Sequence, residues 1–334
     1  MSSKEGKSGF FLQKNDENLI SLKNNILDGI RANPELSKYD QYVNYFYKTG
    51  FSAEEYFNNR IQKLLFAKNG EWIFFYDLTS KGPYLIGVRI SGWDEEHFKF
   101  KMAFLQIFTV PNEPAKTNKL GSLLQQAINY LRNEGVKFVS SRVNGDHITA
   151  LHSMENVGFR YYDNVIWPIT NAVIHNENPM RLISEKETDR VKWISENFQY
   201  PRGHYYCDER FEKKTINSMY PKWVETTLRN KEPIAVIESN NKVAGFFVFK
   251  IDEELYKYTG YKYGRLRLLA LDSEYRGQGL GEKLFKGTLS LIKNLGIDYI
   301  DSGYSTKNHI SAKLHVNASF YSVYEEVTFH LWLD

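Results

Sequence analysis

Residues 264–296, GRLRLLALDSEYRGQGLGEKLFKGTLSLIKNLG, decide the fold of the chain around them. The apolar run 265–271 predicts a strand, and the glycine-rich run 276–281 follows it after a turn. Leucines and other apolar residues then recur at helical spacing, and Gly296 predicts the end of that helix. Glycines at a helix entrance let a ligand approach the backbone, and the helix N-terminus adds roughly half a positive charge. This strand–loop–helix unit therefore predicts an anion site suited to a pyrophosphate.

The spacing of the glycines argues against two common nucleotide-binding loops. A P-loop requires Lys and then Ser or Thr directly after its last glycine, where this chain has Glu282 and Lys283. The dinucleotide fingerprint requires a glycine at 282 and further parallel strands after Asp301, for which only 33 residues remain. What is left is Arg-x-x-Gly-x-Gly after a strand that ends in Leu-Ala-Leu-Asp. This pattern resembles the acyl-CoA loop of the GNAT N-acyltransferase superfamily.

The resemblance implies an α/β fold, of the α+β mixed-sheet kind, with helices on both faces of the sheet. It implies acetyl-CoA or another acyl-CoA as co-substrate, with the pantetheine arm in a gap between strand 265–271 and strand 297–302. The residues that it assigns to CoA binding are Leu269, Ala270, Leu271, Arg276, Gly277, Gln278, Gly279, Leu280, Gly281 and Asn308.

Two copies of one pattern follow each other in the chain. Leu120-Gly121 and Leu280-Gly281 lie 160 residues apart, and Phe159 and Phe320 lie 161 apart. The polar stretch 168–182, with its two prolines, is the best candidate for a linker. We therefore expect two tandem GNAT-like domains, each a central mixed sheet flanked by helices, over residues 1–170 and 180–334.

The first copy lacks the glycine loop of the second. At the positions of 276–281 it has Lys116, Thr117, Asn118, Lys119, Leu120 and Gly121. Lys119 puts a side chain where Gly279 would let a phosphate approach. Domain 1–170 is therefore predicted to be degenerate, without a functional CoA loop, and domain 180–334 to be catalytic. The alternative, that the lysines still hold a phosphate, stays open.

The family pattern also carries Asn-x-x-Ala-x-x-Leu-Tyr-x-x-x-Gly-Phe after the fifth strand, where the Tyr often protonates the leaving thiolate. The second copy matches it at Asn308, Leu314 and Phe320, but His315 stands at the Tyr position. Imidazole can donate or accept a proton near neutrality, so His315 is the first candidate for that role. The further candidates for proton transfer are His330, Asp208 and His204.

The acceptor is less well defined than the cofactor. Aromatic and acidic residues in the second copy are similar in order to those of dTDP-fucosamine acetyltransferases; they are Phe198, Tyr205, Asp208, Phe211, Tyr220 and Trp223. We therefore expect an N-acyltransferase acting on the amine of a nucleotide-linked amino deoxysugar. Polyamines, peptide N-termini and the amino-sugar precursor of a low-molecular-weight thiol remain alternatives. A non-catalytic acyl-CoA sensor is the alternative from a different class.

The composition limits which binding partners and which cellular compartment the sequence predicts. A net charge of +3 predicts neither nucleic-acid nor membrane binding, and no apolar run approaches the length of a membrane span. Cys207 is the only cysteine and the first residues have no apolar signal core, so a reducing, cytoplasmic setting is expected. No Cys/His cluster has metal-ligand spacing. A monomer or homodimer that takes a small-molecule amine fits these limits.

Overall fold

A computed structural model describes residues 8–12, 17–42, 52–67, 70–112, 118–173, 178–198 and 201–334. The chain divides into two compact units. Unit 1 contains the described residues up to Tyr162 together with Glu326–Asp334, and unit 2 contains Asp163–Glu325.

The strands and helices of the first half follow in this order: β1 (Ser8–Leu12), α1 (Glu17–Arg31), α2 (Ala53–Phe66), β2 (Trp72–Thr79), β3 (Gly82–Ile90), α3 (Gly92–Phe98), β4 (Met102–Thr109), α4 (Lys119–Asn133), β5 (Phe138–Asn144), α5 (Ile148–Asn156) and β6 (Arg160–Asn171). Those of the second half are β7 (Arg181–Leu182), α6 (Thr188–Glu196), α7 (Lys213–Arg229), β8 (Ile234–Ser239), β9 (Lys242–Asp252), α8 (Glu253–Thr259), β10 (Tyr263–Leu271), α9 (Leu280–Asn294), β11 (Tyr299–Ser302), β12 (Tyr304–Ser305), α10 (His309–Asn317) and β13 (Tyr321–Trp332). The order of elements confirms the α/β fold with mixed sheets that the sequence predicted.

Unit 1 has a mixed sheet in the order β1-β2-β3-β4-β5-β13. The pair β4–β5 is parallel, and the other neighbours are antiparallel. Apolar side chains of α4 and α5 pack on one face, and those of α1 and α2 pack on the other. Alternation along the strands sends successive residues to these two cores.

Unit 2 has the corresponding order β6-β11-β10-β9-β8-β7, with β12 pairing β6. Here β10 and β11 form the parallel pair, and the pairs β6–β11, β10–β9, β9–β8 and β8–β7 are antiparallel. Helices α9 and α10 cover one face of this sheet, and α6 and α7 cover the other. The Asn240-Asn241 turn of the β8–β9 hairpin has positive φ at both residues, as a two-residue type I′ hairpin turn requires.

The compact units do not follow the linear boundaries 1–170 and 180–334. The last strand of the chain, β13, pairs with β5 through Glu326–Trp332 and so completes the sheet of unit 1. Most of β6, the last strand of the first half, belongs to unit 2, where it pairs with β11. Each unit thus takes its final strand from the other half of the sequence.

The start of the predicted linker is also strand. β6 continues to Asn171, although Pro168 lies within it. Proline has no N–H for a ladder, but Val165 and Ile166 pair with β12 whereas Ile169 to Asn171 pair with β11. Pro168 stands between the two ladders, which is why it does not end the strand. Residues 174–177 of the predicted linker lie outside the described residues.

Phe329 tests the exchange of strands, because it belongs to the second half by sequence and to the core of unit 1 by packing. It is 2% exposed among the α4 and α5 side chains. Phe329→Ala should lower the free energy of unfolding of unit 1 by roughly 3–5 kcal/mol. In hydrogen exchange, β4 and β5 should lose protection while β10 keeps it. Phe249→Ala, in the core of unit 2, is the matched control: β10 should lose protection while β4 and β5 keep it. Loss of protection in β10 caused by Phe329→Ala would contradict the assignment of β13 to unit 1.

Candidate functional site

The site of unit 2 begins where its two parallel strands part. β10 pairs with β9 along its whole length, from Tyr263 to Leu271. Its ladder with β11 stops earlier, at the pair Leu266–Ser302. The register with β9 shifts between Leu266 and Leu268, so an irregularity in β10 coincides with the end of that ladder. The strand segment assigned to CoA binding, Leu269 to Leu271, therefore lies beyond the last rung shared with β11.

The glycine loop after β10 has the backbone shape that an anion site requires. Gly277 and Gly279 have φ of +76° and +77°, in the left-handed region that favours glycine. A Cβ added to either glycine would meet no atom within 4 Å, so the space above both is open. Gly279 is the N-cap of α9 and makes no side-chain cap, so the first N–H groups of the helix face this space. The backbone N–H donors and the positive end of the helix dipole therefore face the same open space.

A buried ion pair holds the start of the loop. Asp272, 3% exposed, follows β10 directly and accepts the Glu274 backbone N–H at 3.1 Å. The same carboxylate binds the Arg190 guanidinium of α6, whose Nε donates to the Val243 carbonyl at 3.0 Å. Arg190 thereby ties α6 to β9 and to the loop. Sequence reasoning missed this residue, although an aspartate at the buried end of a strand signals the need for a counter-ion.

The polar side chains of the loop fold against the protein. The Arg276 guanidinium lies 4.7 Å from the ring centroid of Phe198, and its Nη2 donates to the Leu271 carbonyl at 3.4 Å. Gln278 Nε2 donates to the Glu274 carbonyl at 3.0 Å. Arg276 remains exposed, so its charge lies at the edge of the open space.

The corresponding turn of unit 1 differs in shape as well as in sequence. There the N-cap of α4 is Asn118, with φ of +40°, and Lys119 is already the first helical residue. A Cβ added to Gly121 would lie 2.4 Å from Asn118 Oδ1, so the Asn118 side chain folds over the first turn. The N-terminus of α4 is therefore covered by its own side chain. Lys116 and Thr117 lie outside the described residues.

Asn308 begins α10, the helix that follows the opened edge of β11. Its Oδ1 accepts the Ser311 backbone N–H at 3.2 Å and caps the helix. The cap fixes the Asn308 side chain at the turn between β12 and α10. Its Nδ2 makes no hydrogen bond within the described residues, so a donor group remains there for a ligand.

His315 lies inside unit 2 rather than in the open space. It is 3% exposed, and its ring contacts Phe285, Phe320 and Tyr304. The distance of 2.7 Å from Nδ1 to the Ser311 carbonyl means that Nδ1 carries the proton and donates it. Nε2 is buried with no hydrogen-bond partner among the described residues, and burial lowers the pKa of His315 to about 4. At neutral pH this imidazole is uncharged and has no proton on its second nitrogen.

The other predicted proton-transfer residues lie elsewhere. His330 is in the part of β13 that belongs to unit 1, 1% exposed and stacked on Tyr162 at 4.2 Å. Asp208 is also 1% exposed and accepts the Arg210 backbone N–H at 3.1 Å, which closes the turn before α7. His204 stacks on Tyr205 in the short 3-10 helix before that turn. Of the four predicted proton-transfer residues, His315 has a ring contact with Tyr304, directly after the opened end of β11.

Two features of the strand edge escaped the sequence reasoning. Tyr304 follows Ser302 by two residues, is half-buried, and has its ring centroid 4.7 Å from that of His315. Arg265 and Asp301 form a bidentate pair across β10 and β11, with N–O distances of 2.7 and 2.9 Å, just before the strands part. Their opposite charges on neighbouring strands were visible in the sequence, but their pairing required the register.

The described residues contain neither a candidate metal site nor a candidate membrane span. No group of three or more His, Cys, Asp or Glu side chains there could hold a metal ion. Among the described helices, none has the length and apolarity needed to cross a membrane.

Comparison with known proteins supports the GNAT superfamily. Residues 189–320 match the family model described as acetyltransferase (GNAT) family. Because this match covers the strand, the glycine loop and α10, it indicates acyl transfer from acyl-CoA by the second half. No curated protein matches the chain.

Solved structures show that the tandem fold extends over nearly the whole chain. A GCN5-related N-acetyltransferase from Sphaerobacter thermophilus has a TM-score of 0.62 at 12% identity, covering 99% of this chain and 97% of its own. A tandem GNAT protein from the clavulanic acid biosynthesis pathway has a TM-score of 0.55 at 10% identity, covering 98% of both chains. A fungal glucosamine N-acetyltransferase region within a larger protein has a TM-score of 0.61 at 13% identity; the match covers 99% of this chain and 38% of that one. At these identities the likeness is one of fold.

Proposed function

We propose that unit 2 transfers an acetyl or short acyl group from acyl-CoA to a primary amine, and that unit 1 binds no CoA. The observation that carries the proposal is the pair of positive-φ glycines, Gly277 and Gly279, with open space above them at the N-terminus of α9. Unit 1 has a covered helix N-terminus at the same place, because Asn118 folds over it.

The residues of unit 2 fit the parts of acyl-CoA in order. The N–H groups of 277–281 would bind the pyrophosphate, with Arg276 at its edge. The pantetheine arm, which carries amide groups, would run along Leu269 to Leu271, beyond the last rung between β10 and β11. Asn308 Nδ2 would donate to the same arm. This arrangement puts the thioester near the strand irregularity at Leu266–Leu268.

Acyl transfer there needs two proton movements. The neutral amine nitrogen attacks the thioester carbonyl carbon, the C–S bond breaks, and the thiolate leaves with the bonding electrons. The thiolate gains one proton and the new amide nitrogen loses one, so the reaction is balanced without a cysteine nucleophile or a metal ion as reactant. A thiol pKa of about 8.5 makes protonation of the leaving group helpful rather than obligatory.

For the acceptor we propose an amino sugar, in particular a nucleotide-linked amino deoxysugar. The support is an aromatic surface on α7, where Trp223 is 44% exposed and packs edge-on against Tyr220 at 5.5 Å. Exposed aromatic faces are suited to the apolar faces of sugar rings. The fungal neighbour is described as a glucosamine N-acetyltransferase, which supports the choice of amino sugars for a test.

The function is tested by thiol release from acetyl-CoA with a panel of amines. We expect release above the amine-free rate with dTDP- or UDP-linked amino sugars, and weaker release with glucosamine, spermidine and a peptide N-terminus. Release with a polyamine or peptide alone overturns the sugar acceptor and keeps the acyl transfer. Binding of acetyl-CoA with no release for any amine identifies an acyl-CoA sensor instead.

Tyr304 is our candidate for the proton donor to sulfur in place of His315. His315 Nδ1 already donates its proton to the Ser311 carbonyl, whereas Tyr304 has a phenol hydroxyl and lies just after the opened end of β11. The phenol proton would pass to the thiolate, and the phenolate would regain a proton from the product nitrogen.

Tyr304→Phe should lower kcat by ~10²-fold or more with little change in the Kd for acetyl-CoA, the range typical of a lost general acid. His315→Phe is the matched variant and should keep kcat within about threefold, because the His315 ring serves to pack the core.

The pKa of His315 falls from 6.5 to about 4 on folding. Its contribution to stability is therefore present above pH 6.5 and lost as the pH falls toward 4, so His315→Phe should reduce acid destabilisation. A large kcat loss in His315→Phe with unchanged Tyr304→Phe reverses the assignment.

A further inference from the structure

Helices α6 and α7 of unit 2 have an open groove between them that the proposed acyl transfer does not use. The groove has a volume of about 470 Å³ and is lined by Glu196 of α6 and by Lys214, Asn217, Ser218 and Pro221 of α7. Small-molecule sites in proteins have volumes of roughly 300–1,000 Å³, so a compact ligand fits this groove.

The groove lies on a different side of α7 from the aromatic surface proposed for the acceptor. Its four α7 residues are spaced three or four apart along the chain, so they share one face of the helix. Trp223 follows Pro221 by two residues, which is about 200° further round a helix of 3.6 residues per turn. The groove is therefore a surface separate from the one that exposes Trp223.

A proline inside α7 changes the hydrogen bonding beside the groove. α7 runs without a break from Lys213 to Arg229, with Pro221 in its interior. Proline has no backbone N–H, so Pro221 cannot donate to the carbonyl of Asn217, four residues before it. The Asn217 carbonyl thus lacks its usual helical donor, at a residue that lines the groove. A proline in a helix interior is destabilising, which gives this position a cost that packing alone does not explain.

The Asn217 side chain is half-buried and held by one hydrogen bond. Its Oδ1 accepts the Tyr206 hydroxyl at 2.7 Å, which fixes the amide plane. Its Nδ2 makes no hydrogen bond within the described residues. Asn217 therefore offers a ligand in the groove one donor, Nδ2, and one acceptor, its main-chain carbonyl.

Two side chains of opposite charge line the groove without pairing. Glu196 is the last residue of α6, Lys214 lies in the first turn of α7, and both are exposed. In the part of the chain that the structure describes, neither side chain makes an ion pair or a hydrogen bond. The groove therefore carries one negative and one positive charge, and these sum to zero.

We propose that this groove binds a small zwitterion, a free α-amino acid. The ammonium group of such a ligand matches the Glu196 carboxylate and the Asn217 carbonyl, and its carboxylate matches the Lys214 ammonium and Asn217 Nδ2. The apolar ring of Pro221 is the surface for the side chain of the amino acid. Because the two charges of the groove balance, a ligand with both signs is favoured over a lone anion or cation.

The experiment is calorimetric titration of the full chain with each standard L-α-amino acid, without acetyl-CoA. We expect at least one amino acid to bind saturably at one site per chain. The N-acetyl and C-amide derivatives of that amino acid each remove one charge and keep the side chain. Each derivative should bind at least tenfold more weakly, because hydrogen bonds to charged groups are the stronger ones.

Substitutions then locate the bound amino acid. Glu196→Gln, Lys214→Met and Asn217→Asp should each weaken it at least tenfold. Asn217→Asp is nearly isosteric and keeps the oxygen that accepts from Tyr206, but it replaces the Nδ2 donor by a second oxygen. Lys222→Met, at an exposed lysine of α7 outside the groove, is the matched control for Lys214→Met and should bind as the unchanged chain does.

Pro221→Ala distinguishes a ligand site from ordinary helix packing. Alanine restores the N–H that donates to the Asn217 carbonyl, so the melting temperature should rise. The same change removes the free carbonyl from the groove, so the affinity for the amino acid should fall at least threefold. A purely structural role for Pro221 predicts the first effect without the second.

Three results overturn the proposal. They are the absence of saturable binding by every amino acid, binding of either derivative as tight as that of the amino acid, and unchanged affinity in both Glu196→Gln and Asn217→Asp. Glu196 is exposed and makes no contact on which folding depends, so Glu196→Gln remains informative if another variant fails to fold. Because acetyl-CoA is absent from these titrations, the outcome is separate from whether unit 2 transfers acyl groups.

Discussion

The site of unit 2 depends on one interruption in strand pairing. β10 and β11 share a ladder only as far as Leu266 and Ser302. Beyond that pair β10 stays paired with β9, while the chain after β11 continues along β6 through β12. The Arg265–Asp301 pair joins the two strands just before they part. An extended ligand with amide groups can occupy such a gap as an additional strand does, by pairing with backbone groups.

The two units use this interruption differently, and the difference lies in a few residues. In both units the parallel ladder ends after four residue pairs. Unit 2 follows it with Gly277 and Gly279 and an uncovered helix N-terminus. Unit 1 covers its helix N-terminus with the Asn118 side chain. The duplicated fold has therefore kept its core while the chemistry of its two openings has diverged.

The sequence was informative where the signal was local. The glycine loop, the helix after it and the duplication could be predicted, because each is a short pattern of turn residues or apolar spacing. The exchange of β6 and β13 could not, since the alternation of Val327, Phe329 and Leu331 shows which face is buried but not which strand lies alongside. Pro168 lies inside β6, at the start of the stretch that was predicted to be a linker.

The contacts of individual side chains were harder to predict than the backbone elements. His315 was assigned to the right helix, but its hydrogen bond to the Ser311 carbonyl and its aromatic surroundings depend on packing that one sequence does not reveal. The Arg190–Asp272 ion pair could not be predicted either, because its two residues are far apart in the chain and meet only through packing. Tyr304 lies beyond the strand predicted at 297–302 and was not singled out, because its proximity to His315 depends on packing.

The central claim is that only the opening of unit 2 accepts CoA, and calorimetric titration with acetyl-CoA tests it most directly. The account predicts one site per chain. Gly279→Glu should abolish binding, since it adds a carboxylate and a strained side chain at φ of +77° beside the pyrophosphate. Lys119→Glu, at the first helical residue of α4 in unit 1, should leave the affinity unchanged. Two sites per chain, or binding lost in Lys119→Glu and kept in Gly279→Glu, would contradict the account.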